Sequence, residues 1–208
     1  MSWWRRLQEF FDFRSDLNGG GPGQAVEGAS PAIASLLDGL ERDPPGDRKA
    51  VLDLGPPTES TLDTYSRFAH RVRFAELTGS GPALKMGELD HRLPEPALPY
   101  DLVFAWDSLE RVPPEARSEL VERISEVTAP GARLHLVMAD PETEEAPLLH
   151  FSLTGMGTMR CEAIGPTRDS TLRLMPGDLD EILGPFQVER RFTLKGGLRE
   201  YVAVKGTA

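Results

Sequence analysis

The sequence predicts an α/β protein: a doubly wound, mainly parallel sheet of seven strands that ends in an antiparallel hairpin. Three observations predict it. Ala50–Leu54 and Tyr100–Trp106 are short apolar runs stopped by turn residues, the pattern of strands buried on both faces. Strand-like and helix-like stretches then alternate at short spacing as far as residue 139, which builds a parallel sheet with crossover helices. Finally, Phe186–Leu194 and Leu198–Val204 are joined across Gly196-Gly197, which pairs them antiparallel.

The run Ala50 to Thr58, AVLDLGPPT, organises the rest. One carboxylate, Asp53, sits among Ala50, Val51, Leu52 and Leu54, and Gly55-Pro56-Pro57 stops the strand. The carboxylate therefore lies at the strand's carboxyl end, where open α/β sheets bind ligands. A helix starts near Thr58, so its N-terminus faces the same crevice.

Upstream, residues 1–18 place Trp3, Trp4, Leu7, Phe10 and Phe11 on one helical face, with Arg5, Arg6, Gln8, Glu9 and Asp12 on the other. So short a helix needs something to rest on: the protein's own core, a protein partner or a membrane surface. Residues 19–29 read as a glycine-rich linker, since Asn18 to Gly28 holds five glycines and a proline. The main domain is expected over 30–208. Ser30-Pro31 opens a helix as N-cap and first residue, with Ile33, Leu36, Leu37 and Leu40 as its buried stripe. That helix is either a lid over the crevice or cover for the sheet.

Beyond the central turn, Ser60 with Asp63 resembles a capping box, and Leu62, Tyr65, Phe68 and Ala69 make a stripe. Val72–Leu77 alternates as a second strand ending at Glu76, and Leu84–Leu89 reads as a third, with Glu88 near its end. Asp107 follows the strand Tyr100–Trp106. Pro113-Pro114 starts a helix with Ala116, Leu120, Val121, Ile124 and Val127 buried; Pro130-Gly131 ends it, and Ala132–Ala139 is the next strand. Residues 141–175 break the rhythm. A hairpin of Thr158–Ile164 with Ser170–Met175 around Gly165-Pro166 is expected there, followed by a helix over Pro176–Leu183.

The totals exclude several functions. A net charge of −10 over 208 residues, with no concentrated basic face, argues against nucleic-acid binding. The four histidines show no metal-ligand spacing, and one cysteine, Cys161, makes neither a zinc site nor an internal disulfide. No apolar run approaches the ~20 residues that span a bilayer. The first residues lack a secretory signal, so the expected location is cytoplasmic, free or attached to a membrane or larger complex. No Ser-His-Asp ordering and no phosphate loop supports a hydrolase or kinase.

These residues together resemble the class I, type 11 methyltransferases that use S-adenosylmethionine. Residues 98–139, LPYDLVFAWDSLERVPPEARSELVERISEVTAPGARLHLVMA, are similar to that family's fourth strand, loop, helix, Pro-Gly turn and fifth strand in unbroken order. GELDHRLPEP is similar to its segment after the third strand. The resemblance covers about Lys49 to Lys205 and implies a Rossmann-like methyltransferase fold with S-adenosylmethionine as cofactor. It implies that Asp53 and Gly55 form the loop under the methionine part, that Glu76 accepts from the ribose hydroxyls, that Glu88 stands beside the adenine amino group with Leu89 on the ring, and that Trp106 and Asp107 line the floor near the sulfonium. Residues 141–175 would cover the substrate.

Two places depart from the family pattern. The loop acid-x-Gly-x-Gly-x-Gly is here Asp53-Leu54-Gly55-Pro56-Pro57-Thr58-Glu59, so Pro57 and Glu59 replace glycines that let backbone approach the cofactor. Arg111 stands where the family often has histidine. Two functions stay open. One is methyl transfer to a small-molecule or protein acceptor, with no dedicated catalytic residue assigned because alignment does most of the work. The other is an inactive scaffold of the same fold, docked to a larger assembly through its N-terminal helix.

Overall fold

The computed structural model describes residues 25–77, 92–93, 96–140, 147–167, 172–194 and 197–207. The aromatic segment 1–18, Glu88, Leu89 and the expected strand Leu84–Leu89 lie outside the described residues.

The elements are β1 (Ala25–Ala29), α1 (Pro31–Leu37), β2 (Lys49–Asp53), α2 (Glu59–Ser66), β3 (Ala69–Phe74), β4 (Tyr100–Trp106), α3 (Arg117–Glu126), β5 (Thr128–Ala139), β6 (Pro147–Gly155), β7 (Thr158–Thr167), α4 (Leu179–Ile182), β8 (Phe186–Leu194) and β9 (Leu198–Lys205). The main sheet has the order β3-β2-β4-β5-β9-β8 among the described residues. β3, β2, β4 and β5 run parallel, while β9 pairs antiparallel with both β5 and β8. The doubly wound sheet and terminal hairpin are therefore present as expected. Val51 and Leu52 point to opposite faces and both are fully buried, each in a different core. One core lies under α3 and α4, the other under α1 and α2.

Local chemistry explains each boundary. Ser30 caps α1 by accepting from Ile33 N at 3.0 Å, and Ile33, Leu36 and Leu37 are buried. Ala116, Leu120, Val121, Ile124 and Val127 are buried along and just beyond α3, as their spacing requires. Pro130-Gly131 does not precede β5 but lies inside it. Tyr100 pairs with Thr128 and Leu102 with Arg133, so a bulge absorbs the proline, with Gly131 at φ +76.

The structure corrects four further expectations. Thr58, not Ser60, caps α2: its hydroxyl accepts from Thr61 N at 3.2 Å. The buried face of α2 is then Thr61, Thr64 and Tyr65, and Leu62 points outward, 48% exposed. β3 begins at Ala69 rather than Val72, because Lys49 and Ala50 at the start of β2 pair with Ala69 and Arg71. The linker gives way at Ala25, since Val26 is buried and β1 pairs along its whole length with β7.

The fourth correction concerns residues 141–175. The hairpin is β6 with β7, and its turn falls at Met156-Gly157, not Gly165-Pro166. Gly155 and Gly157 are the residues that the turn needs. A Cβ on Gly155 would meet Thr158 Oγ1 at 2.8 Å, and one on Gly157 would meet Ala34 Cβ at 3.0 Å. Gly165 instead continues β7 as far as a register shift near Pro147. With β1, this hairpin makes a second, three-stranded sheet of order β1-β7-β6.

A buried polar knot fixes α1 to the main sheet. Ser30 Oγ donates to Glu200 Oε1 of β9, Ala32 N donates to Glu200 Oε2 at 3.3 Å, and His135 Nε2 of β5 lies 3.1 Å from Oε1. His135 is thus structural, as its place inside a strand implies. Replacing Glu200 orphans three groups, so Glu200→Ala is expected to cost about 3 kcal/mol or more in denaturant unfolding. Leu62→Lys, on the exposed side of α2, is expected to stay within about 0.5 kcal/mol of wild type in the same measurement.

Candidate functional site: the carboxyl rim of the sheet

β2 and β4 are adjacent and parallel, so Asp53 and Trp106 finish at the same rim. Asp53 is fully enclosed, 1% exposed. Its Oδ1 accepts from Gly55 N at 2.8 Å and Trp106 Nε1 at 2.7 Å, and its Oδ2 accepts from Tyr65 OH at 2.7 Å. Burial raises its pKa from 3.8 to about 6, against the lowering effect of the Tyr65, Gly55 and Trp106 hydrogen bonds and of His135. Burial, with Asp53 beside it, drives the Tyr65 phenol well above its ordinary value.

Trp106 is itself 1% exposed and sits at φ +49, a left-handed conformation rare for a bulky residue. That backbone turns the indole under the Gly55 turn. A Cβ on Gly55 would come within 2.9 Å of the indole nitrogen and 3.1 Å of Cδ1, so only glycine fits above it. Phe151 of β6 stacks on the indole, its centroid 5.7 Å away and its plane 5° off parallel. His135 meets the ring edge-on at 5.3 Å, and Phe104 packs beside it at 5.6 Å. The three-stranded sheet thus closes over the rim as a cap, with one aromatic of its own seated in the crevice.

Further bonds fasten the cap. Leu153 N donates to Thr61 Oγ1 of α2 at 3.0 Å, and Ser30 N donates to Gly157 O at 2.8 Å. Arg111 donates through Nε to Asp107 Oδ1 at 2.8 Å and through Nη2 to Leu149 O of β6. Asp107 is therefore held in a buried ion pair. Glu76, just beyond β3, stays exposed at φ +48, and its carbonyl accepts from Arg92 Nη1 at 2.8 Å.

No family model matches the sequence, and no curated protein matches it. Solved structures do resemble it. A putative type 11 methyltransferase from Sulfolobus solfataricus superposes with a TM-score of 0.50 and 14% identity, over 78% of this chain and 87% of that one. The DhpI–SAH complex superposes with a TM-score of 0.50 and 19% identity, over 85% of this chain and 83% of that one. The chain has the class I methyltransferase fold.

In the methyltransferase fold the turn after β2 is the place the resemblance assigns to the cofactor's methionine end. The residues at that turn are bonded and packed within the protein itself. The Trp106 indole packs against Gly55 from beneath, and both oxygens of the Asp53 carboxylate already accept from protein donors. Of the residues the resemblance singles out, the structure brings Asp53, Gly55 and Trp106 together and places Asp107 beside them in its pair with Arg111. Glu76 remains apart on the surface. Sequence reasoning missed Tyr65, Phe151 and Thr61 as rim residues. Tyr65 carried a signal, since a tyrosine on a buried helical face needs a partner for its hydroxyl. Phe151 carried none.

Because the folded pKa of Asp53 exceeds its unfolded value, the stabilising contribution of its protonated form is present below pH 3.8 and lost as pH rises through about 6. Asparagine can keep all three bonds, with Tyr65 turning acceptor. Asp53→Asn is therefore expected to gain on wild type by up to about 3 kcal/mol between pH 4 and pH 8, read from urea unfolding at each pH.

Proposed function

We propose that this protein is a non-catalytic member of the methyltransferase fold, a binding scaffold whose adenosyl crevice is occupied by its own side chains. The observation that carries this reading is Trp106, buried beneath Gly55 with its indole on Asp53. It supports the reading because a stacked, buried tryptophan fixes the rim in this closed arrangement, and expelling it costs several kcal/mol. The docking element of the scaffold is the segment 1–18, whose aromatic face suits a protein partner or a larger assembly better than anionic lipid, since its charges nearly cancel. No helix among the described residues is long and apolar enough to cross a membrane.

A second reading is S-adenosylmethionine-dependent methyl transfer to a small-molecule or protein acceptor, in a state where Trp106 has left the crevice. Glu76 favours it, because an exposed carboxylate just past β3 keeps the acceptor that a ribose diol needs. The left-handed backbone of Trp106 also holds strain that leaving would release.

Isothermal titration of the full chain with S-adenosylmethionine and S-adenosylhomocysteine separates the two. The scaffold reading expects no heat of binding up to millimolar ligand. Micromolar binding of either compound, lost in Glu76→Ala, overturns it in favour of methyl transfer.

A further inference from the structure

We propose that a cleft at the amino end of the main sheet, opposite the closed rim, binds small monocarboxylates with a short apolar body. β2, β4 and β5 all start at this end, and α1 passes over it. Together they enclose a cleft of about 320 Å³, within the range of small-molecule sites. Its floor is apolar: Leu36 and Leu40 from α1 and the turn after it, and Leu102 from β4. Its mouth carries Lys49 at the start of β2, Asp101 on β4 and Arg133 on β5.

The charges at the mouth select the ligand. Asp101 is committed, since its Oδ2 accepts from Ala50 N at 2.7 Å and so helps start β2. Lys49 has only a loose partner, Asp43, at 3.5 Å and outside the cleft lining. Among the described residues no carboxylate pairs with Arg133, although the protein carries a net charge of −10. Two cations and one carboxylate in the lining give the cleft a single net positive charge. A monoanion neutralises it; a dianion such as phosphate would put surplus negative charge beside Asp101. A guanidinium also takes a carboxylate in two parallel hydrogen bonds.

Backbone geometry holds the mouth open. The bulge at Pro130-Gly131 carries Arg133 into line with Leu102, and Gly131 at φ +76 leaves open space where a side chain would stand. The carboxylate then meets Arg133 and Lys49 while the apolar body lies along Leu36, Leu40 and Leu102. This site is independent of the rim, so it serves a scaffold as well as an enzyme.

The test is a titration of the full chain with hexanoate and with benzoate, followed by backbone amide chemical shifts, with hexylamine as the charge-reversed control. Saturable shifts are expected at Lys49, Asp101, Leu102 and Gly131 to Arg133, and none with hexylamine. Arg133→Ala and Lys49→Ala should each weaken hexanoate binding roughly three- to fivefold, the weight of one exposed ion pair, without changing the melting temperature. Both residues face solvent, and Arg133→Gln substitutes if the alanine variant fails to fold. The proposal is overturned if neither acid gives saturable shifts at millimolar concentration, if the shifts map elsewhere, if hexylamine binds equally well, or if the substitutions leave affinity unchanged.

Discussion

One buried carboxylate ties the carboxyl rim together. Asp53 ends β2, and its three donors come from three different places: the turn at Gly55, helix α2 through Tyr65, and the end of β4 through Trp106. An ionised carboxylate taken out of water is tolerable only with such donors around it, and even so burial outweighs them and lifts the pKa to about 6. The arrangement trades some stability at neutral pH for a single orientation of three elements. From it follow the left-handed turn of Trp106, the requirement for glycine at 55 and the aromatic surface on which the cap sheet rests through Phe151.

The departures from the methyltransferase pattern are coherent when taken with this interaction. Where the family loop has open backbone N–H groups, this chain has Pro56 and Pro57, and Thr58 spends its hydroxyl on the N-cap of α2. Where the family often has histidine, Arg111 bridges Asp107 to the carbonyl of Leu149 in the cap. Thr58 and Arg111 both bond within the protein. The rim is closed by Trp106 and Phe151 rather than by proline: Pro56 is half-buried and Pro57 exposed.

Much of the fold was legible because periodicity reports burial. β2 and β4 are buried on both faces and read as unbroken apolar runs, and the stripe of α3 falls on core positions. The antiparallel finish followed from two long strands around Gly196-Gly197. The cap was not legible. β1 is five residues long inside a glycine-rich stretch, and its only strong signal is the buried Val26. The turn of β6 with β7 was misplaced because Gly165-Pro166 is the stronger local turn signal. The actual turn depends on Gly157 meeting Ala34 of α1, a contact 123 residues away in sequence that no local pattern encodes. At the site, Asp53 and Gly55 stood out because strand-end acids and turn glycines have few other uses. That the Trp106 indole packs under Gly55 and against Phe151 depends on its φ and on a partner from the cap, and neither is written in local sequence.

The ladder between β1 and β7 fixes the position of Ala25 on the cap sheet. Ala25 pairs with Glu162, one position along β7 from Cys161, which in turn pairs with Phe151. β1 is therefore separated by β7 alone from the strand that carries the stacking ring. Tension applied at Ala25 would load β1 in shear against β7, and β7 passes that load to the strand bearing Phe151.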